Sequence, residues 1–355
     1  VMGLYERVLR PALFCLPAET AHNLGKRALS VELPWRLQAG RYRVADPRLE
    51  TEVAGLRQTG PFGLTAGFDK DALALPGLAH LGFGSVTVGA IMPEPRAGNP
   101  RPRLGRRPEE RALLNCMGLP SRGLDYAVRN LRRHRASHPS GGPPVIANVG
   151  GFTIEGILGC FRAVEPYVDA VELDLTCPNV RVEGELARME GIVKAMKIIM
   201  AERTKPVLTK LPLRSPEGSW RRALDMTRAA VEAGLDGVTA AGNLRVEDNR
   251  LSKRQVSLTG PPCLENTLEV VRELRAVAGE GFTIRMSGGA SDGAGVFRLL
   301  EAGADAVNAF TAFVYQGPGV AARVNRQLLE KMDAEGVRSV REIRERRAAS
   351  KTGVS

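Results

Sequence analysis

Cysteine is sparse in this chain of 355 residues, and its spacing matches no metal or redox motif. The cysteines are odd in number and scattered, and none forms a CxxC pair: Cys15, Cys116, Cys160, Cys177 and Cys263. This distribution argues against a disulfide framework and against a zinc site, so no metal is predicted. The expected compartment is the reducing cytoplasm.

Long hydrophobic runs are also missing. No apolar stretch reaches about 18 residues, the length that a membrane-spanning helix needs, and the N-terminus lacks the layout of a signal peptide. Aromatic residues make up only 5% of the chain, and the net charge of +11 forms no basic stripe interleaved with aromatics. Nucleic acid is therefore not expected as a partner. The remaining composition is that of a soluble globular protein.

Eight short hydrophobic runs, most of them followed by a helical pattern, organise the middle of the chain. The predicted strands are Phe62–Ala66, Ser85–Gly89, Val145–Val149, Ala170–Leu175, Val207–Leu211, Gly237–Ala241, Thr283–Met286 and Ala306–Phe310. The helix-like stretches include Ala187–Arg203, Ser219–Ala233, Leu264–Val277 and Gly293–Ala302. Apolar strands that alternate with helices predict a parallel sheet covered by helices, and eight such units favour a closed (β/α)8 TIM barrel.

Two segments lie outside this repeat. Residues 1–45 predict a small helical extension, in which Pro11 is expected to bend or interrupt the first helix. This extension is either an ordinary packed addition or a lid at a membrane surface or ligand-access path. The barrel is assigned to residues 46–337, and residues 338–355 are expected to form a charged helix and tail.

The fourth predicted strand is the most informative stretch, because it ends in Cys177-Pro178-Asn179. Chemistry in a barrel collects at the C-terminal ends of the strands, so a thiol at this tip is a candidate proton acceptor. The alternative is a buried strand followed by a turn, with Cys177 as a small core residue.

Cations and glycines mark other predicted strand tips. Lys70 follows the first strand and Lys210 ends the fifth, in a chain where lysine is scarce beside arginine. The backbone amides at Ser287–Gly289 and Phe310–Ala312 predict a phosphate cradle after the last two strands. These groups suit an anionic cofactor held flat over the barrel mouth.

Histidine is absent from the predicted tips, and no His–Asp pair supports hydrolysis. We expect the four histidines to be structural or solvent-exposed; they are His22, His80, His134 and His138.

The motifs resemble those of the dihydroorotate dehydrogenase family, flavin-dependent barrel enzymes, over nearly the whole chain. Residues 10–22, the Ala66–Asp71 motif and the Gly98–Leu104 motif are similar to its membrane-associated, quinone-using class. The resemblance implies oxidation of dihydroorotate to orotate in pyrimidine biosynthesis, with FMN as cofactor and a quinone as electron acceptor.

The resemblance also implies a role for each motif. Cys177 would be the base that removes a proton while the neighbouring carbon gives hydride to the flavin; a free thiol, with a pKa of about 8.5, suits this better than serine. The implied cofactor-binding residues are Ala66, Gly67, Lys70, Ala90, Asn148, Asp174, Lys210, Ser287, Gly288, Gly289, Phe310 and Thr311. The implied substrate-binding residues are Lys70, Asn115, Met117, Gly118, Leu119, Asn179 and Asn243.

Departures from the quinone-using class gather at the substrate. That class has serine as its base, whereas Cys177 and Asn115–Pro120 look like the soluble class. Ala90 replaces a threonine, and Ala241-Gly242 stand where a Thr-Asn pair is usual.

Asp174 is the most consequential departure, because it replaces an asparagine. An ionised carboxylate would repel an anionic substrate by about 4 kcal/mol at about 4 Å and an effective dielectric near 20. This penalty disappears if Asp174 is protonated, turned away, or paired with Lys210 or Lys70.

Three functions stay open at this point. The leading one is dihydroorotate oxidation; the second is a flavin oxidoreductase of the same family acting on a neutral dihydropyrimidine or another enone-like ring. The third is a flavin-binding protein without turnover. Residues 1–30 predict peripheral membrane contact, which makes the inner face of the cell membrane an alternative to the free cytoplasm.

Overall fold

Eight parallel strands close into a barrel at the centre of the molecule. The computed structural model describes residues 3–138, 141–176, 184–214 and 219–352. The barrel strands are Phe62–Leu64, Val86–Ile91, Val145–Gly150, Ala170–Asp174, Val207–Lys210, Gly237–Ala241, Thr283–Ser287 and Ala306–Ala309. Each strand pairs with its successor, and the last pairs with the first, with Val307 opposite Phe62. All eight predicted strands are present, so the predicted (β/α)8 barrel is confirmed.

Helices surround the barrel and bury their apolar faces against it. They are Leu75–Leu78, Leu124–Ser137, Ile154–Val164, Met189–Glu202, Ser219–Glu232, Leu264–Ala278, Gly293–Ala302, Thr311–Gln316, Val320–Ala334 and Val340–Thr352. Short 3-10 turns occur at Pro47–Leu49, Glu165–Tyr167, Glu185–Ala187 and Pro261–Cys263. Side chains cap two of the helices, since Thr153 and Asp292 each accept a hydrogen bond from a first-turn amide.

A polar layer crosses the barrel interior. Glu172 and Arg285 form a fully buried ion pair at 3.0 Å, and Arg285 also donates to the Thr87 hydroxyl at 2.9 Å. The Asn148 side-chain amide donates to the other oxygen of Glu172 at 2.7 Å. Burying charges is costly unless they are paired and hydrogen-bonded, and this network meets that condition.

Two small antiparallel sheets flank the barrel, and the sequence did not predict either. A hairpin of Thr51–Val53 and Leu56–Gln58 precedes the first barrel strand. A four-stranded sheet forms from segments far apart in the chain: Leu104–Arg107, Ala112–Asn115, Leu244–Glu247 and Gln255–Thr259. It has its own apolar cluster, which includes Leu114, Val256 and Leu258. This second sheet covers one side of the barrel opening at the C-terminal ends of the strands.

The N-terminal extension consists of short helices: a π-helix at Tyr5–Leu9, then Arg10–Phe14, Ala18–Leu29, Leu33–Leu37 and Ala39–Tyr42. The backbone stays helical through Pro11, but the helix type changes immediately before it, from the π-helix to the α-helix Arg10–Phe14. Glu6 pairs with Arg323 at 3.0 Å, and Glu19 pairs with Arg103 at 2.7 Å. These ion pairs fasten the extension to the barrel and to the segment after its second strand.

The C-terminal segment that the sequence predicted as a charged helix and tail is mostly a packed helix. Val340 and Ile343 are buried, and Arg344 pairs with buried Asp305 at 2.7 Å. Across the described residues, no helix combines the length and the hydropathy that crossing a bilayer would require.

Candidate active site

A cleft opens at the C-terminal ends of the barrel strands. Its floor is formed by the strand tips, and its roof by residues of the four-stranded sheet, including Leu113, Ser257 and Thr259. The cleft contains about 1370 Å³ of space, its open mouth included.

Lys70 brings one positive charge to the cleft. Its ammonium donates to the main-chain oxygen of Gly67, in the loop after the first strand. Burial lowers the pKa of Lys70 to about 8, and the Lys26 ammonium acts in the same direction. Lys70 is therefore mostly charged at pH 7, but it loses its proton within a range that enzymes use.

Lys210 brings a second positive charge, and Asp174 neutralises part of it. The two residues end adjacent barrel strands, and Lys210 Nζ donates to Asp174 Oδ2 at 2.8 Å. The Asp174 side chain is fully buried, whereas a third of the Lys210 side chain is exposed. The other carboxylate oxygen of Asp174 and the hydroxyl of Thr176 are buried, and neither has a hydrogen-bond partner among the described residues. Unpaired buried acceptors at a cleft are groups that a ligand can satisfy.

A glycine turn follows the seventh strand. Gly288 and Gly289 have φ values of +94° and +86°, a conformation that glycine adopts at no steric cost. A Cβ at Gly289 would lie 2.5 Å from the Leu264 Cα, so a larger residue would displace backbone. Together with Ser287, these residues line the cleft and present main-chain amides to it. Thr311, after the eighth strand, lies beside them and hydrogen-bonds to Thr259 at 2.8 Å.

The Asn115–Leu119 segment borders the cleft from the roof. Gly118 has a φ of +72°, and a Cβ there would lie 2.6 Å from the side chain of Asn99. The Asn99 amide in turn donates to the Cys116 carbonyl at 2.8 Å, which holds the turn in place. Asn115 and, from the sixth strand, Asn243 line the same cleft and offer both donors and acceptors.

Most residues that the sequence singled out meet in this cleft. Those that line it are Ala66, Gly67, Lys70, Ala90, Asn115, Met117, Gly118, Leu119, Asp174, Lys210, Asn243, Ser287, Gly288, Gly289, Phe310 and Thr311. Asn148 is not among the lining residues, because its side chain turns into the barrel and bonds to Glu172. Cys177 and Asn179 lie outside the described residues.

An apolar cavity of about 960 Å³, open solvent included, adjoins the cleft. The N-terminal helices form one wall through Leu9, Leu13 and Ala21, and barrel residues such as Phe313 form the other. Four residues line both spaces: His22, Leu104, Leu113 and Phe310.

His22 packs among aromatic rings, which agrees with the structural role expected of the histidines, and it also borders the cleft. It lies between the two spaces, and its ring packs on Phe68 and Phe310 with centroid distances of 5.0 Å and 5.7 Å. Burial, reinforced by Lys70 and Lys26, holds the pKa of His22 well below its ordinary value, so the ring is neutral at pH 7. The predicted strand tips did not indicate this position, because the N-terminal helix Ala18–Leu29 carries His22.

Comparison with known proteins matches residues 48–332 to the family described as Dihydroorotate dehydrogenase. A protein of Thermus thermophilus named Dihydroorotate dehydrogenase (quinone) is 37% identical over 353 residues, covering 94% of this chain and 98% of the relative. This chain belongs to the dihydroorotate dehydrogenase family.

Further relatives agree in fold and length. A protein of Anaeromyxobacter dehalogenans with the same name is 36% identical over 342 residues, covering 92% of this chain and 93% of the relative. The crystal structure of the Eimeria tenella family member in complex with ferulenol superposes with a TM-score of 0.76 at 25% identity, covering 92% of this chain and 94% of that one. The family and the oxidoreductase class expected from the sequence are confirmed.

Proposed function

We propose that this protein oxidises dihydroorotate to orotate in the cleft and passes the electrons through FMN to a quinone in the adjoining apolar cavity. The observation that carries the proposal is the junction of these two spaces at His22 and Phe310. A cleft lined by Lys70 and Lys210 suits an anionic substrate and cofactor, whereas a cavity lined mainly by apolar side chains suits a hydrophobic electron acceptor. A single pocket would not explain why the protein needs both an anionic ligand and a hydrophobic one.

The residues of the cleft fit FMN. The glycine turn at Gly288 and Gly289 offers main-chain amides to a phosphate, and no larger side chain fits there. Lys70 and Lys210 supply positive charge, and the unpaired Asp174 oxygen can accept from an N–H of a flat ring. When bound, FMN would accept hydride from the substrate and deliver the electrons to the quinone.

We propose Cys177 as the base for the proton that leaves the substrate. In the sequence, Cys177 follows Asp174, the last residue of the fourth strand, by three positions. Lysine ammonium groups near a thiol favour the thiolate, and Lys70 and Lys210 both line this cleft.

Asp174 is compatible with an anionic substrate, because Lys210 compensates its charge. The 2.8 Å ion pair meets one of the conditions under which a carboxylate at this position would not repel orotate. Lys70 then supplies the net positive charge of the cleft, and Asn115 and Asn243 supply donors and acceptors for the ring amides. We propose these groups, with Asn179, as the substrate contacts.

The N-terminal extension would give the quinone access from a membrane. Among the residues that the structure describes, eight of the nine exposed large hydrophobic side chains lie within residues 4–37: Leu4, Val8, Leu9, Leu16, Leu24, Val31, Leu33 and Leu37. An exposed apolar cluster of this kind marks an interaction surface. Since the same helices wall the apolar cavity, we propose that residues 1–30 rest on the inner face of the cell membrane.

A second candidate function is oxidation or reduction of a different ring by the same fold. It is favoured by the sixth strand, where Ala241-Gly242 provide no polar side chain to a substrate. A Cβ at Gly242 would lie 2.0 Å from the hydroxyl of Thr267, which belongs to the helix Leu264–Ala278. A larger residue at position 242 would therefore require this helix to move. A neutral dihydropyrimidine or another enone-like ring would then replace dihydroorotate.

Anaerobic mixing of the FMN-loaded protein with substrate distinguishes these functions. Dihydroorotate is expected to bleach the flavin absorbance and to yield one orotate per flavin. Bleaching by neutral dihydropyrimidines but not by dihydroorotate would establish the second candidate. A yellow protein that no dihydropyrimidine bleaches would be a flavin-binding protein without turnover.

A further inference from the structure

Two of the four histidines share a carboxylate partner at a place that does not line the cleft. His80 Nε2 and His138 Nε2 lie 3.1 Å and 3.2 Å from the same oxygen of Glu32. The three ligand atoms lie within 4.8 Å of one another. Among the residues that the structure describes, no other trio of His, Cys, Asp or Glu side chains brings its ligand atoms this close.

The three side chains come from separate parts of the fold. Glu32 lies in the N-terminal extension, between the helices Ala18–Leu29 and Leu33–Leu37. His80 follows the short helix after the first barrel strand, and His138 ends the helix Leu124–Ser137. The His80 and His138 side chains are only 10% and 14% exposed, so water reaches the site mainly from the Glu32 side.

Hydrogen bonding fixes the orientation of the His138 ring. Its Nδ1 lies 3.3 Å from the main-chain oxygen of His134, so Nδ1 must carry a hydrogen for this bond. In the neutral ring, Nε2 then has a free lone pair, and that lone pair faces the Glu32 carboxylate. The His138 Nε2 lone pair and the Glu32 oxygen are both acceptors, and they lie 3.2 Å apart. At that distance a cation, either a proton or a metal ion, must lie between them. A ring nitrogen that donates to a main-chain carbonyl while the other faces the ion is the arrangement found in metal sites.

The spacing of the three side chains is compatible with a metal ion. Ligand atoms about 2.0–2.2 Å from zinc at tetrahedral angles lie about 3.3–3.6 Å from one another. The two distances from the Glu32 oxygen to the imidazole nitrogens, 3.1 Å and 3.2 Å, are near this range, and all three ligand atoms lie within 4.8 Å of one another. Two imidazoles and one carboxylate form a ligand set for zinc and neighbouring divalent metals.

We propose that Glu32, His80 and His138 bind one divalent transition-metal ion of the zinc type, with water completing its coordination. The ion would bridge the N-terminal extension to the barrel, because only Glu32 belongs to the extension. The helix that precedes Glu32 contributes Ala21 and Gly25 to the apolar cavity, so the ion would also hold that wall in place.

Zinc titration of the full, FMN-loaded chain after treatment with a chelator tests the proposal without relying on turnover. We expect one zinc per chain by elemental analysis and a rise in melting temperature on zinc addition. Glu32→Gln, which keeps the size of the side chain, should weaken zinc binding at least about tenfold, the loss that even an outer-shell partner of a metal causes. His138→Ala should do the same, whereas His22→Ala, the matched control outside the cluster, should bind zinc as the parent does.

Cobalt provides a readout that does not depend on any variant folding. The parent chain should develop visible absorption bands of cobalt bound to nitrogen and oxygen ligands, and zinc should displace them. Absence of a saturable site in the parent would overturn the proposal. So would unchanged zinc affinity in folded Glu32→Gln and His138→Ala, in which case the cluster is a carboxylate that shares protons with its two imidazoles.

Discussion

Lys210 Nζ lies 2.8 Å from Asp174 Oδ2, across the tips of two adjacent barrel strands. The pair reconciles a carboxylate in the cleft with an anionic substrate, because the charge of Asp174 is met by a cation next to it. Because Asp174 compensates the charge of Lys210, Lys70 supplies most of the positive charge among the described residues of the cleft. The pair thus decides how strongly the site attracts anions.

Replacing Asp174 by Asn should release the charge of Lys210 to the cleft. We expect Asp174→Asn to bind orotate about tenfold more tightly, equivalent to about 1.4 kcal/mol. Equilibrium titration of the FMN-loaded variant with orotate measures this. Glu202→Gln, which breaks an exposed pair with Arg162 on the outside of the barrel, is the control and should leave the affinity unchanged. Weaker orotate binding in Asp174→Asn would show that the carboxylate contacts the ligand directly.

The pKa of Lys70 predicts how orotate binding depends on pH. Since the pKa is lowered to about 8, Lys70 is protonated below that pH and neutral above it. Anion affinity should therefore be constant from pH 6.5 to 7.5 and fall as the pH rises through 8. The Lys70→Gln variant should bind orotate more weakly and lack this fall. An identical fall in the variant would assign the titration to another group.

Cys177 should control the proton-transfer half of the reaction. A general base typically contributes about 10²–10⁴-fold to the rate, so Cys177→Ala should slow flavin reduction by dihydroorotate by that factor while orotate still binds. Cys177→Ser should recover part of the rate with an optimum shifted to higher pH. Stopped-flow absorbance under anaerobic conditions measures both variants. Cys15→Ala alters an exposed cysteine of the extension and is the control; an unimpaired Cys177→Ala would remove the assignment of the base.

Filling the apolar cavity should impair only the quinone half-reaction. Gly25 lines this cavity, and a Cβ built on it meets no atom within 4 Å, so the helix can carry a larger residue. Gly25→Leu should raise the KM for a quinone analogue about tenfold, or about 1.4 kcal/mol of lost binding, and leave flavin reduction by dihydroorotate unchanged. Gly25→Ala serves as the matched control. Equal loss of both half-reactions would mean that the extension is only structural.

The barrel and most of the cleft could be predicted from the sequence because each depends on local patterns. The eight strands are short buried runs, and parallel strands bring their C-terminal ends to one edge, so Lys70, Asp174 and Lys210 had to converge. That Asp174 pairs with Lys210 was one of several predicted alternatives. The structure was needed to choose among these alternatives, because the sequence does not indicate in which direction the Asp174 side chain points.

Features built from distant segments escaped prediction. The sheet over the barrel mouth joins Leu104–Arg107 to Gln255–Thr259, and its short strands carry little periodicity of their own. His22 reaches the cleft on an N-terminal helix, and Glu32, His80 and His138 meet without any motif spacing. Asn148 follows the family motif, yet its amide serves the interior ion pair of Glu172 and Arg285.

Turnover of the FMN-loaded full chain with dihydroorotate and a quinone analogue is the decisive measurement. We expect orotate to appear and quinone to disappear in a ratio of one to one. We also expect the reaction to stop when either compound is left out. A yellow, folded protein that reduces quinone with another dihydropyrimidine but forms no orotate would contradict the proposed function.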